Sequence, residues 1–334
     1  MYTPVFIDEL PDASTVSSRK SELYRLTRAR GLTELLLDGT TPWHDRACPG
    51  CGQDRSQSGN FSQALIPFHR CSHCNTIYAA KVPAQAPLDA LRARLQAERP
   101  EASAQAQAQA EAGSRQEFEF VSVLNWIRLT EARAATGRPL AQVLDYRFCS
   151  ENPAWPGAVA RLAQNRGWQF LPLDPDSEPL ADLARTLRQS PPDAVLLNAE
   201  LDRSADPRAL LQTIRDHAPE GTLVFVATSC ADGLEYEILG ADSPSFVPLD
   251  RLNVFSVKGF EALARGLGYD CLEISTPGRL DAVILQRYFT EIESAAVPFW
   301  SGFFREADRD RLRDLQILLQ RSLRSGVMRF VLKT

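Results

Sequence analysis

The chain carries two cysteine pairs of like spacing, Cys48-Pro49-Gly50-Cys51 and Cys71-Ser72-His73-Cys74. No other feature restricts its folding so closely. Two cysteines three positions apart place both sulfurs on one ion when the turn between them is tight, and Pro49, Gly50 and Gly52 supply such a turn. Four thiolates fill a tetrahedral zinc shell and leave no position open for substrate or activated water. The spacing therefore predicts a structural zinc bound by Cys48, Cys51, Cys71 and Cys74. Two disulfides, or four reduced buried thiols, are the other states open to these residues. Disulfides belong to oxidising compartments. The first residues, MYTPVFIDELPD, are acidic and lack the apolar core of an export signal, so the expectation is a cytoplasmic protein. His44, His69 and His73 lie nearby, but the four-cysteine set is complete without them and they read as surface or outer neighbours of the metal. Cys149, Cys230 and Cys271 are scattered in apolar or loop contexts and read as buried small hydrophobes.

A chain of 334 residues is long enough for two domains. Its 37 Lys and Arg against 42 Asp and Glu leave a net charge of -5, which argues against an extended nucleic-acid surface. No apolar run reaches the roughly 18 residues that a membrane span needs. Four parts follow from the pattern. Residues 1–42 read as an N-terminal helical segment, with a helix over 18–38 that Ser18 caps and Gly31 interrupts. Residues 43–81 read as a zinc ribbon with Phe61, Ile66, Phe68 and Tyr78 as its core, too small to fold without its metal. Residues 82–116, broken by Pro83, Pro87 and Pro100 and carrying AQAQAQAEAGSRQ, read as a linker, part helix and part disordered.

Residues 117–334 form the fourth part. An amphipathic helix over 117–136 leads into strands at 141–148, 169–173, 193–199, 222–229 and 271–275. These alternate with helices at 158–166, 178–188, 207–218 and 256–267. Short apolar runs alternating with helices predict βαβ units, hence an α/β fold with a mostly parallel sheet covered on both faces. After Pro277 the chain turns helical, most clearly over 309–324, and ends in a strand at 327–332. The run Trp300-Ser301-Gly302-Phe303-Phe304 either packs on the core or covers a pocket or partner.

Four segments of this α/β part carry a resemblance: Leu173-Asp174-Pro175-Asp176-Ser177, Leu201-Asp202-Arg203-Ser204-Ala205-Asp206-Pro207, Leu252-Asn253-Val254-Phe255-Ser256, and Ser275-Thr276-Pro277-Gly278 with Leu280-Asp281. With the preceding ribbon they resemble class I S-adenosylmethionine-dependent methyltransferases, in particular bacterial ones with an N-terminal zinc ribbon. The resemblance implies a Rossmann-like doubly wound sheet that holds S-adenosylmethionine at the carboxyl ends of its strands. It makes Asp174 the ribose-binding carboxylate, although a turn or cap role in Asp-Pro-Asp-Ser is open too. It also puts Asp145 at the head of the family's D-x-G-C-G-x-G loop.

Three departures oppose a working cofactor site. The loop reads Asp145-Tyr146-Arg147-Phe148-Cys149-Ser150-Glu151 and has no glycine for positive φ or close backbone approach. Between Asp174 and the strand at 193 there is room for one helix only, so one edge strand and its adenine-contacting loop are absent. Arg203 and Arg251 stand where the family often has histidine, and no catalytic base can be assigned. His217 reads as a C-terminal helix residue. The resemblance thus implies a degenerate member that binds or scaffolds a protein partner, such as an active paralogue. The alternatives are an active methyltransferase on a small-molecule or sugar-type acceptor, which needs only proximity, and a zinc-ribbon protein adaptor.

Overall fold

The computed structural model describes residues 10–11, 19–54, 60–63, 66–97, 121–131, 140–147, 157–165, 168–173, 178–291 and 297–334. Helix α1 is Arg19–Leu37. The ribbon strands are β1 Trp43–Asp45, β2 Asn60–Gln63, β3 Ile66–Arg70, β4 Ile77–Ala79 and β5 Lys81–Pro83. Helix α2, Gln85–Ala97, and a helix α3 over 121–131 precede the main sheet.

From there strands and helices alternate: β6 Gln142–Tyr146, α4 Gly157–Asn165, β7 Gln169–Leu173, α5 Pro179–Gln189, β8 Ala194–Asn198, α6 Glu200–Arg203, α7 Pro207–His217 and β9 Leu223–Ser229. Helix α8 Leu234–Leu239, the short β10 Asn253–Val254, α9 Val257–Gly266 and β11 Asp270–Ser275 follow. Helices α10 Asp281–Glu291, α11 Pro298–Glu306 and α12 Arg309–Arg321 are inserted before the final strand β12, Val327–Lys333.

The main sheet has the order β11-β12-β9-β8-β6-β7. β7, β6, β8 and β9 run parallel, and β12 is antiparallel to both its neighbours. Successive residues point to opposite faces, and both faces are apolar. Leu144, Val195 and Val226 pack under α5, α7 and α9, while Val143, Leu196 and Phe225 pack under α3. That is why the strands read as unbroken apolar runs. Between Leu173 and Ala194 the described residues hold α5 and no strand, so β7 ends the sheet among the described residues, as the spacing predicted.

Two expectations change. Gly31 does not interrupt α1, which is continuous. A Cβ there would lie 2.8 Å from Leu95 Cδ1 and 3.0 Å from Leu91 Cδ1, so the glycine serves close approach of α1 to α2. Residues 85–97 are also more than loose linker, because Leu88, Leu91 and Leu95 form a buried stripe against Leu32 and Leu35. The AQAQAQAEAGSRQ stretch, Ser18, Cys149 and Asp174 lie outside the described residues. In the inserted helices Phe304 is buried, whereas Phe299 is exposed.

The ribbon does not stand apart. β10 pairs antiparallel with β4 and completes a four-stranded sheet, β10-β4-β3-β2. The shared core joins Ile66, Phe68 and Ile77 of the ribbon to Tyr236, Phe246, Leu252 and Val254.

Candidate metal centre and ligand crevice

Each cysteine pair sits on a turn of the same design. In the first, Gly52 N–H donates to the Cys48 carbonyl at 2.9 Å; in the second, Asn75 N–H donates to the Cys71 carbonyl at 2.8 Å. Both closing residues have left-handed backbones, Gly52 at φ 73 and Asn75 at φ 69. Glycine takes this conformation freely and asparagine is among the few side chains that tolerate it. Asn75 also anchors itself through its side chain, accepting from Arg70 at 3.0 Å. The sequence reading saw the glycine and missed Asn75.

The turns bring all four sulfurs within 4.8 Å of one another. Cys48 and Cys74 Sγ are 3.5 Å apart and Cys51 and Cys71 Sγ 3.6 Å, well beyond a disulfide bond of about 2.05 Å. A tetrahedron of zinc–sulfur bonds of about 2.3 Å has edges of about 3.8 Å, so the arrangement fits that ion. Cys48, Cys71 and Cys74 are buried. Among the thiols themselves, the hydrogen bond with Cys48 holds Cys74 well below the usual thiol range, and the same contact pushes Cys48 up. A divalent cation is held by the thiolate form, so four converging cysteines suit one that displaces their protons. Among the described residues no histidine groups with the four sulfurs. Cys230 is buried and Cys271 half-buried, as small hydrophobes are.

The crevice beyond the carboxyl ends of the strands is lined differently from the resemblance's expectation. At the end of β6 the Arg147 guanidinium turns back onto Asp145, donating through Nε at 2.7 Å and through Nη2 to the same carboxylate oxygen. Both side chains are more than nine-tenths buried. The carboxylate that would head a cofactor loop is therefore held by its own neighbour. No glycine occurs among residues 145–151, of which 148–151 lie outside the described residues.

At the ends of β8 and β9 lies a buried lattice of charges. Ala199 takes a left-handed turn at φ 61 and starts α6. Asp202 of α6 accepts from the Thr228 hydroxyl, from Ser229 N and from Ser229 Oγ at 2.7 Å, and pairs with Arg251 at 3.2 Å. Asp250 accepts from the Tyr24 hydroxyl and faces Arg28 at 3.6 Å and Arg203 at 3.7 Å. Burial alone would raise its carboxyl, but Arg203 and Arg28 outweigh burial and hold it below the usual range. Arg92 of α2 donates to the carbonyls of Arg203 and Leu249, both at 2.7 Å.

Arg203, through Asp250 and its own carbonyl, thus ties α1 and α2 to the end of the sheet, while Arg251 pairs with Asp202. Sequence reasoning missed Tyr24, Arg28, Arg92, Asp202 and Asp250. One signal was present: Tyr24 and Arg28 share a helical stripe with Leu32 and Leu35, and Arg92 interrupts that of Leu88, Leu91 and Leu95. A charge inside an apolar stripe marks a buried partner.

A family model described as a methyltransferase domain matches residues 99–274, more than half of the chain. The chain belongs to that family. No curated protein matches it. Similar solved structures include an S-adenosylmethionine-dependent methyltransferase of Archaeoglobus fulgidus (TM-score 0.40, 11% identity, 66% of this chain and 94% of that one). The plantazolicin methyltransferase BamL has a TM-score of 0.36 and 12% identity over 68% of this chain and 91% of its own. Phosphoethanolamine N-methyltransferase 2 of Haemonchus contortus has a TM-score of 0.36 and 15% identity over 63% and 52%. At these values the structures inform neither substrate nor chemistry. No helix among the described residues is long and apolar enough to cross a membrane.

Proposed function

We propose that this methyltransferase-family chain is a degenerate homologue that has given up the cofactor site and serves as a binding or scaffolding subunit, its ribbon held by one structural zinc on Cys48, Cys51, Cys71 and Cys74. The observation that carries the reading is the buried pair of Asp145 and Arg147. Seating S-adenosylmethionine there requires breaking that pair, and leaving a buried charge without its partner costs about 3–5 kcal/mol. The buried charge lattice adds to the case. Asp202 and Asp250 are neutralised by arginines rather than left to meet a substrate. Asp174 remains the candidate ribose contact should any cofactor bind. The unbridged thiols fit the cytoplasm, and the partner is a protein, an active paralogue being one candidate.

The test is a thermal melt and a calorimetric titration with S-adenosylmethionine and its demethylated product. A ligand at 100 times its Kd stabilises its site by about 2.7 kcal/mol. Neither heat nor a shift in Tm is expected at millimolar ligand. Saturable heat with a matching rise in Tm overturns the proposal and returns the chain to the active enzymes, where no fixed catalytic residue is needed beyond correct placement.

A further inference from the structure

The metal turns touch more than the ribbon. Four thiolates around a divalent ion carry roughly two negative charges in excess, and buried sulfurs in that state require donors and positive potential around them. Much of that surrounding comes from the far side of the chain. The N-terminus of α9 abuts both cysteine turns. Ser256 caps the helix by accepting from Gly259 N at 2.8 Å, and its hydroxyl donates to the Cys74 carbonyl. Thr76 Oγ1 accepts from Ser256 N at 3.3 Å and also lies 3.3 Å from Cys74 Sγ.

A Cβ on Gly259 would overlap Thr76 Oγ1 and lie 3.1 Å from Cys74 Sγ; one on Gly50 would lie 3.0 Å from Gly259 Cα. Only two glycines let the helix end come so near the sulfurs. A helix N-terminus carries about half a positive charge. Lys258 adds a full one, its Nζ donating to the His73 carbonyl at 2.6 Å.

A carboxylate locks the same joint. Asp232, just beyond β9, accepts from Asn75 Nδ2 at 3.0 Å through one oxygen and from Val257 N at 2.8 Å through the other. One side chain thereby ties the second cysteine turn, the helix end and the crevice side of the sheet together. Arg46 of the ribbon donates to Asn253, whose amide donates to the carbonyls of Leu201 and Ser204 beside the charge lattice.

We infer that the metal site is shared across the chain: Asp232, Ser256, Lys258 and Gly259 form the outer shell of the four thiolates, so zinc binding and docking of the ribbon onto the methyltransferase fold are one event. The inference rests on the zinc reading proposed above. The coupling is reciprocal. Whatever loosens the start of α9 lowers zinc affinity, and loss of zinc frees β10 and the first turn of α9 at the crevice wall.

The experiment uses the full chain. Zinc content is measured first, and zinc affinity is then measured by competition with a chromophoric chelator in wild type, Ser256→Ala, Asp232→Ala and Lys258→Met, each checked for folding by circular dichroism. Losing an outer partner costs about 10- to 100-fold in metal affinity. That loss is expected for Ser256→Ala and Asp232→Ala, with a smaller one for Lys258→Met.

In a second measurement, hydrogen exchange is followed in wild type before and after chelation. Faster exchange is expected at residues 253–259 while α5 and α7 stay protected. This arm holds even if a variant fails to fold. One zinc per chain with unchanged affinity in all variants, or unchanged exchange at residues 253–259 after metal removal, overturns the shared site and leaves the ribbon self-sufficient. A wild-type chain that binds no zinc refutes the metal reading itself, a distinct result.

Discussion

Removing the carboxylate of Asp250 should show how far the chain depends on its charge lattice. Asp250 is 3% exposed and lies between Arg28, 2% exposed, and Arg203, with the Tyr24 hydroxyl on the same carboxylate. Asp250→Ala leaves two buried guanidinium groups facing a void. Breaking a buried pair by deleting one partner costs about 3–5 kcal/mol, and the hydrogen bond that the Tyr24 hydroxyl donates to Asp250 is lost for about 1 kcal/mol more. The sum is a large share of the roughly 5–15 kcal/mol that stabilises a typical domain. The damage should begin at α1, because Tyr24 and Arg28 are its polar ties to the α/β part.

Urea unfolding followed by circular dichroism reads the loss. Limited proteolysis reads its location, with cleavage expected first between α1 and β1. In the double variant with Arg203→Met, the second change should cost less than it does alone, a coupling of about 1 kcal/mol or more. If Asp250→Ala costs under about 1 kcal/mol, or the two changes simply add, the lattice is incidental to the stability of the chain.

Two further predictions concern other sites. Burial, and then the neighbouring carboxylate of Asp281, push Glu235 up to about 7. The folded chain therefore holds a proton that the unfolded chain releases near the ordinary value of 4.5, and stability falls as pH rises through that window. Urea midpoints taken between about pH 5 and pH 8 should decline in wild type, and Glu235→Gln should flatten the decline; parallel profiles would refute the assignment. At Gly31, alanine meets only the ends of two leucine side chains and regains about 1 kcal/mol of helix propensity, so Gly31→Ala should be close to neutral. Gly31→Leu should cost about 1–3 kcal/mol through overpacking, and equal midpoints for the two variants would show that α1 and α2 do not press together there.

The order of strands and helices in the α/β part could be read from periodicity to within a few residues. β7 and β12, for example, begin where the apolar runs begin. The reading erred where one residue had two possible uses. Gly31 was taken as a helix breaker, yet the fold uses its missing side chain to let a second helix in. Pro83 and Pro87 suggested a broken linker, yet Leu88, Leu91 and Leu95 just beyond them pack as a helix. Local sequence does not say whether a small residue ends an element or admits a neighbour, because the neighbour is distant in the chain.

The same division runs through the sites. Cysteine spacing by itself pointed to the four-cysteine set, since each tight turn brings its own two sulfurs together, and the absence of glycine over residues 145–151 was equally plain. Only the tertiary structure decided that Arg147 folds back on Asp145, that Arg203 and Arg251 serve Asp250 and Asp202, and that α9 lies against the metal turns. Those facts depend on pairings between residues up to 226 positions apart, as for Tyr24 and Asp250. A charge takes its partner from whatever the packed core brings beside it, and burial rather than sequence distance sets the strength of that choice.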